Sequence, residues 1–344
     1  MRSKIGYAAL VALSASAAYG EGSFGFDGVM SFSLSNAEMM GVSSNQATYN
    51  FVSHAKFSEK FSLGLDLDYG NLKAGGETVT SKRFQLAPTF SFGNGSYAGA
   101  YFQDTSLQVS VIGVGLQGFG AFAGHDAGKW AIDGYVGSTG LNLGSTATAG
   151  DDDLQDDPTA SLDSSISTQN FGVTATFRPA DNLEVYGHFS RGDLSIGPVS
   201  GNISVTALGA EYNFQNGLMA YGAFERFSIL GQADLDGISI GAGYDLSSSG
   251  ANIPGTLTVE FGRTDLGVDL EGDDLEGAPS IKQTQVTIGW LIPLGNSDVK
   301  PLNSTSRAAR GGIRGPIAIG TGTLGLGGIV GAVVELSSTP PAPV

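Results

Sequence analysis

The sequence predicts an all-β chain, a transmembrane antiparallel up-and-down β-barrel of about 14 strands, with 12 to 16 compatible with the pattern. Three observations predict it: runs of about ten to fourteen residues that alternate apolar and polar side chains, connections that are short and long in turn, and an unusual composition. Glycine makes up 53 of the 344 residues, cysteine is absent and only 15% of residues are charged. That balance excludes a disulfide-stapled secreted domain and is poor for an ordinary soluble enzyme. Mean hydropathy is +0.06, too low for a bundle of membrane helices, but a barrel turns only alternate residues toward lipid.

At the N-terminus Arg2 and Lys4 precede the apolar run Ile5 to Leu13, and small residues follow to a cleavage point after Ala17 or Gly20. Residues 1–20 therefore read as a secretory signal peptide, its apolar part being shorter than the ~20 residues a spanning helix needs. Without Arg2 and Lys4 the chain carries 15 basic and 33 acidic residues, a formal charge of −18, which disfavours nucleic acid as a partner.

Residues 21–295 hold the alternating runs. In the clearest, Phe61, Leu63, Leu65, Leu67 and Tyr69 share one face, and Ser62, Gly64, Asp66, Asp68 and Gly70 share the other. One face suits hydrocarbon and the other water. Similar runs set Tyr49, Phe51, Ala55 and Phe57 against Asn50, His54 and Lys56, and Phe171, Val173, Ala175 and Phe177 against Gly172, Thr174, Thr176 and Arg178. Later runs set Leu257, Val259 and Phe261 against Thr258 and Glu260, and Val286, Ile288, Trp290 and Ile292 against Gln285, Thr287 and Gly289. Short turns are expected near 58–60, 93–96, 124–129, 179–182, 215–217 and 247–255. Longer connections are expected near 36–46, 71–80, 103–108, 144–164, 191–201, 231–237 and 265–282. A soluble double sandwich also alternates; the succession of turn lengths, and aromatics such as Phe57, Phe92, Trp130, Phe214 and Trp290 near run ends, favour the barrel.

The stretch Thr287-Ile288-Gly289-Trp290-Leu291-Ile292-Pro293-Leu294 resembles the closing-strand signal of outer-membrane barrels. With the leader and the strand pattern, residues 21–295 resemble Gram-negative porins of the alphaproteobacterial kind. The resemblance implies location in the bacterial outer membrane, passive uptake of small hydrophilic solutes, and a trimer of sixteen-stranded barrels with a constriction loop. This chain departs from it by two strands and by continuing past the signal. Residues 296–344 contain Arg307, Arg310 and Arg314, then a charge-free stretch from Gly315 to Val334 holding seven glycines. The first reading is a disordered periplasmic extension; a lumen plug, an extra strand pair and a helix are the others.

By parity the expected lumen-facing charges are Lys56, Asp66, Asp68, Arg83, Arg178, Glu184, Glu211, Glu260 and Arg263. Two acidic outer loops are expected, one with Asp151, Asp152, Asp153, Asp156 and Asp157, the other with Asp269, Glu271, Asp273, Asp274 and Glu276. These loops either keep the surface solvated or gather cations at a pore mouth, and neither has the spacing of a defined calcium site. The lumen charges set ion preference or brace the wall as cross-strand pairs. No cofactor or metal site is expected. His54, His125 and His188 are the only histidines, and no His-Glu-x-x-His occurs, so no enzyme activity is expected.

These readings lead to a passive, weakly cation-selective channel for small hydrophilic solutes and ions. The alternative is a non-conducting structural or adhesive barrel plugged by loops or by the tail. Expected partners are outer-membrane lipid and lipopolysaccharide, small hydrophilic solutes and cations; a homo-oligomer stays open.

Overall fold

The computed structural model describes residues 25–39, 42–74, 77–109, 112–145, 166–196, 199–229, 233–250, 253–268, 281–295, 307, 309–316 and 319. Residues 1–20, the acidic runs at 151–157 and 269–276 and the apolar end of the tail lie outside them.

Fourteen strands run in chain order. The first seven are β1 (Gly25–Met39), β2 (Val42–Lys56), β3 (Phe61–Ala74), β4 (Glu77–Ser91), β5 (Ser96–Val109), β6 (Ile112–Asp126) and β7 (Trp130–Ser145). The second seven are β8 (Ile166–Ala180), β9 (Leu183–Ile196), β10 (Val199–Asn213), β11 (Leu218–Ile229), β12 (Ala233–Asp245), β13 (Thr256–Val268) and β14 (Ile281–Leu294). Each pairs antiparallel with its sequence neighbour, and β1 pairs with β14 from Gly28↔Leu294 to Met39↔Gln283, so the sheet is a closed barrel without edges. This is the fold class the alternation predicts.

Alternation places the side chains as the hydrophobic effect requires. On β1, Met30, Phe32 and Leu34 are exposed on the outer face while Ser31, Ser33 and Ser35 are buried on the inner one. On β14, Val286, Ile288 and Trp290 face out and Gln283 and Thr287 face in. Across the seam the Ser35 and Thr287 hydroxyls meet at 2.8 Å. From Phe61 to Tyr69 the outer apolar face of β3 covers nine residues, roughly 26 Å along the strand and about 20 Å of height at a tilt of about 40°. Aromatic pairs mark both margins: Phe57 with Phe61, Phe90 with Phe92 and Tyr212 with Phe214 near the short turns, Phe32 with Tyr49 and Phe171 with Phe189 higher up. A charge placed inside this belt has no water to meet. The substitution Ile288→Arg should destabilise the barrel in lipid vesicles by about 2 kcal/mol, read from the urea midpoint, while leaving it little changed in a detergent whose headgroups reach the residue.

The short turns lie where the sequence places them. Five of the seven connections read as long are short instead, with only two or three residues between strands at 40–41, 75–76, 110–111, 197–198 and 230–232. The polar residues there belong to strands that continue past the apolar belt. Asn36 pairs with Asn45 and Glu38 with Ser43, with both outward side chains of each pair polar and exposed, and the Asn36 amide donates to Asn45 Oδ1 at 3.1 Å. Strands of 12 to 16 residues exceed the ~10 that a bilayer crossing needs, so a barrel of this kind has no need of an apolar face at its outer ends.

Inside the wall, bulky rings lie flat over glycines of adjacent strands. Tyr101 covers Gly120 and Gly137, Tyr135 covers Gly172, Tyr186 covers Gly209 and Tyr221 covers Gly241; a Cβ at any of these glycines would overlap the ring. Part of the abundance of glycine is thereby explained, because each of these five is a seat for an inward aromatic.

Candidate functional site across the lumen

The inner wall carries carboxylates on several strands. Asp66 and Asp68 project from β3 and Arg83 of β4 lies between them, its Nε donating to Asp68 at 2.6 Å and its Nη2 to Asp66 at 2.9 Å. Two carboxylates facing one guanidinium leave acceptor capacity unused. Arg307 of the C-terminal segment takes it. Its Nη2 donates to both Asp66 oxygens at 2.6 and 2.7 Å, and its Nη1 to Asp68 at 2.7 Å and Asn50 at 3.2 Å. Burial works to lower the Arg307 pKa, and the Asp66 and Asp68 carboxylates outweigh it, so the group is held firmly charged.

Arg310 docks elsewhere on the ring. Its guanidinium donates to Glu184 of β9 and Glu211 of β10 and sits 4.0 Å above the Tyr186 ring, while Ala309 packs on Tyr186 and Ala207. Arg314 lies 3.6 Å from Asp133 of β7, 3.9 Å over Phe122 and 5.5 Å from the Tyr101 centroid. β3 and β10 are seven positions apart on a ring of fourteen, so Arg307 and Arg310 bind opposite sides of the barrel. The segment therefore crosses the lumen.

Backbone contacts fix it in place. Gln85 Nε2 donates to Gly312 O at 3.3 Å, Gln103 Nε2 to Arg314 O at 2.7 Å, and the Gly315 amide donates to the Tyr135 hydroxyl at 2.8 Å. Gly311 has φ +70 and lies so close to Thr174 that a side chain would overlap the threonine hydroxyl. The sequence reading of 296–344 as a disordered extension is corrected over residues 307, 309–316 and 319, which occupy the lumen. The physical reason is charge: three guanidinium groups find an acidic cavity that would otherwise hold repelling carboxylates.

Of the charges expected in the lumen, Asp66, Asp68, Arg83, Glu184 and Glu211 gather around this segment. Glu260 is buried on the inner face of β13, where it meets the Tyr221 hydroxyl. Arg178 stands at the short-turn rim and reaches Glu184 at 3.2 Å and Asp126 at 3.3 Å. Lys56 is exposed at the same rim, 4.0 Å from Asp27. Arg263 is a correction: it shares parity with Val259 and Phe261, points outward and pairs with Asp265 at 3.2 Å. Sequence reasoning missed Asp133 and Glu225, although the parity that places Trp130 and Ile132 outside puts Asp133 inside. At the short-turn end, below Arg310, opens a cavity of about 1030 Å³ lined by Lys129, Arg178, Glu184, Glu211, Met219 and Thr256 among others.

No known family matches the sequence, and no curated protein matches it. Solved structures similar to it include an anion-selective porin from Comamonas acidovorans, 10% identical over 80% of this chain and 100% of that one, with a TM-score of 0.47. Another is OmpT, an outer membrane protein of Vibrio cholerae, 10% identical over 80% of this chain and 99% of that one, TM-score 0.47. A third is a Pseudomonas aeruginosa FadL homologue, 11% identical over 79% and 89%, TM-score 0.42. With about one residue in ten identical, the likeness is one of barrel shape alone.

Proposed function

We propose that the chain is a porin-like channel of the bacterial outer membrane for small hydrophilic solutes and ions, held closed or narrowed by its own C-terminal segment. The observation that carries this reading is the closed ring with an apolar, aromatic-edged outer face and a charged inner face. An inner face left polar along its length has no use in a packed core, whereas it suits water and solutes. The short-turn rim, where both barrel ends and the tail begin, would face the periplasm, and the belt would meet membrane lipid and lipopolysaccharide.

Cation preference follows from the wall. Asp66, Asp68, Asp133, Glu184, Glu211, Glu225 and Glu260 face inward against Arg83 and Arg178. When the segment is in place its arginines offset much of this excess, so the wall becomes more acidic as the channel opens. Planar-bilayer recordings of the refolded chain under a salt gradient test the reading: discrete steps with a cation-favouring reversal potential are expected, and Glu225→Gln should reduce that preference. The second reading, a non-conducting structural barrel, is favoured by the segment spanning the lumen. It predicts stable insertion without current, even in variants that release the segment.

A further inference from the structure

Closing a channel requires only a segment that fits, yet the pockets here are specialised for one chemical group. Around Arg310 two carboxylates, Glu184 and Glu211, take the edge of the guanidinium while the Tyr186 ring takes its face. Around Arg314 the division is the same, with Asp133 at the edge and Phe122 beneath. A compact ammonium would satisfy the charge but not the flat, weakly hydrated face. We propose that these pockets form a binding track for soluble cations carrying guanidinium groups, arginine-bearing peptides being the simplest class, and that the tail occupies the track as a built-in stand-in for that ligand.

Acidic residues alone would attract any cation; the guest already seated is what specifies the ligand. The pockets also belong to the wall and not to the guest. Tyr186 is seated over Gly209, and Glu184 and Glu211 face each other across β9 and β10. They keep their shape when the segment leaves, which is the preorganisation that affinity needs. Two caged pockets, with Asp66 and Asp68 as a third acidic station, favour ligands with more than one guanidinium. The inference deepens the channel reading and rests on it only for the route by which the solute arrives.

The test uses the full chain with Arg307→Gln, Arg310→Gln and Arg314→Gln together, refolded in detergent micelles, and calorimetric titration with tri-arginine amide and tri-lysine amide. The variant should bind tri-arginine amide about tenfold more tightly than tri-lysine amide. The unaltered chain should bind it more weakly than the variant does, because its own arginines compete. Adding Tyr186→Leu to the variant should remove most of the preference. The single variant Arg310→Gln provides the same comparison if the triple variant does not refold. Equal affinities for the two peptides, or no binding, would overturn the proposal. Bilayer recordings keep the two readings apart: a guanidinium preference without any current sinks the channel and leaves the site, whereas current without the preference sinks the site alone.

Discussion

Replacing Arg307, Arg310 and Arg314 together by glutamine should raise the unitary conductance of the barrel at least about threefold. Fourteen strands about 4.8 Å apart and tilted by about 40° make a ring roughly 28 Å across the backbone, or about 18 Å clear of side chains. A chain segment of helical width, about 10 Å, laid across that opening covers about two thirds of it. Its hold depends chiefly on the three guanidinium groups, beside which residues 309–316 contribute a few neutral hydrogen bonds and the buried side chains of Ala309, Ile313 and Pro316. Each neutral bond contributes about 1 kcal/mol, too little to keep the segment across a wet lumen once its charges are gone. Single-channel recording in a planar bilayer gives the answer directly. An unchanged conductance would mean that the arginines are not what keeps the segment in place.

The second large effect should follow Asp66→Asn. The Asp66 carboxylate accepts from both Arg307 and Arg83 and is itself buried, as is Arg83. Asparagine keeps the shape but loses the charge and turns an amide NH2 toward one of two guanidinium groups. Removal of one member of such a buried arrangement costs about 3 kcal/mol, the low end of the usual range. The urea midpoint of the barrel refolded in vesicles should fall accordingly. The double variant Asp66→Asn with Arg307→Gln should lose less than the sum of the two single losses, because the second change removes the cation that the first left without a counter-charge. Strict additivity would refute the coupling.

Much of this architecture is legible along the chain, for a physical reason: a barrel wall one residue thick writes an apolar outer face and a polar inner face into alternate positions. Phe61 to Tyr69 and Val286 to Ile292 state the inside and outside without ambiguity. The limits of the strands are less legible, because beyond the belt both faces meet water; Asn36 to Gln46 looks like a loop and is a hairpin. Arg263, two residues on from Phe261, has outward parity, and only its charge argues for the lumen. The docking of Arg307, Arg310 and Arg314 has no local signal at all. Their partners lie 99 to 257 positions away, and only the excess of inward acid over inward base hints that a cationic guest is missing.

Gly295 follows the last strand with φ +68, packed so closely on the Phe26 carbonyl that only glycine fits. The seam between β1 and β14 thus anchors the tail at one lip of the barrel, and twelve residues further on stands Arg307. A stopper on so short a leash is never diluted: its local concentration at its own socket is set by the leash, on the order of millimolar, and not by how much protein a cell makes. In the channel proposed above, reclosure would accordingly be first order, every barrel would carry its own single dose of inhibitor, and a solute that dislodges the stopper would have to outcompete that fixed dose wherever and however sparsely the barrels are expressed.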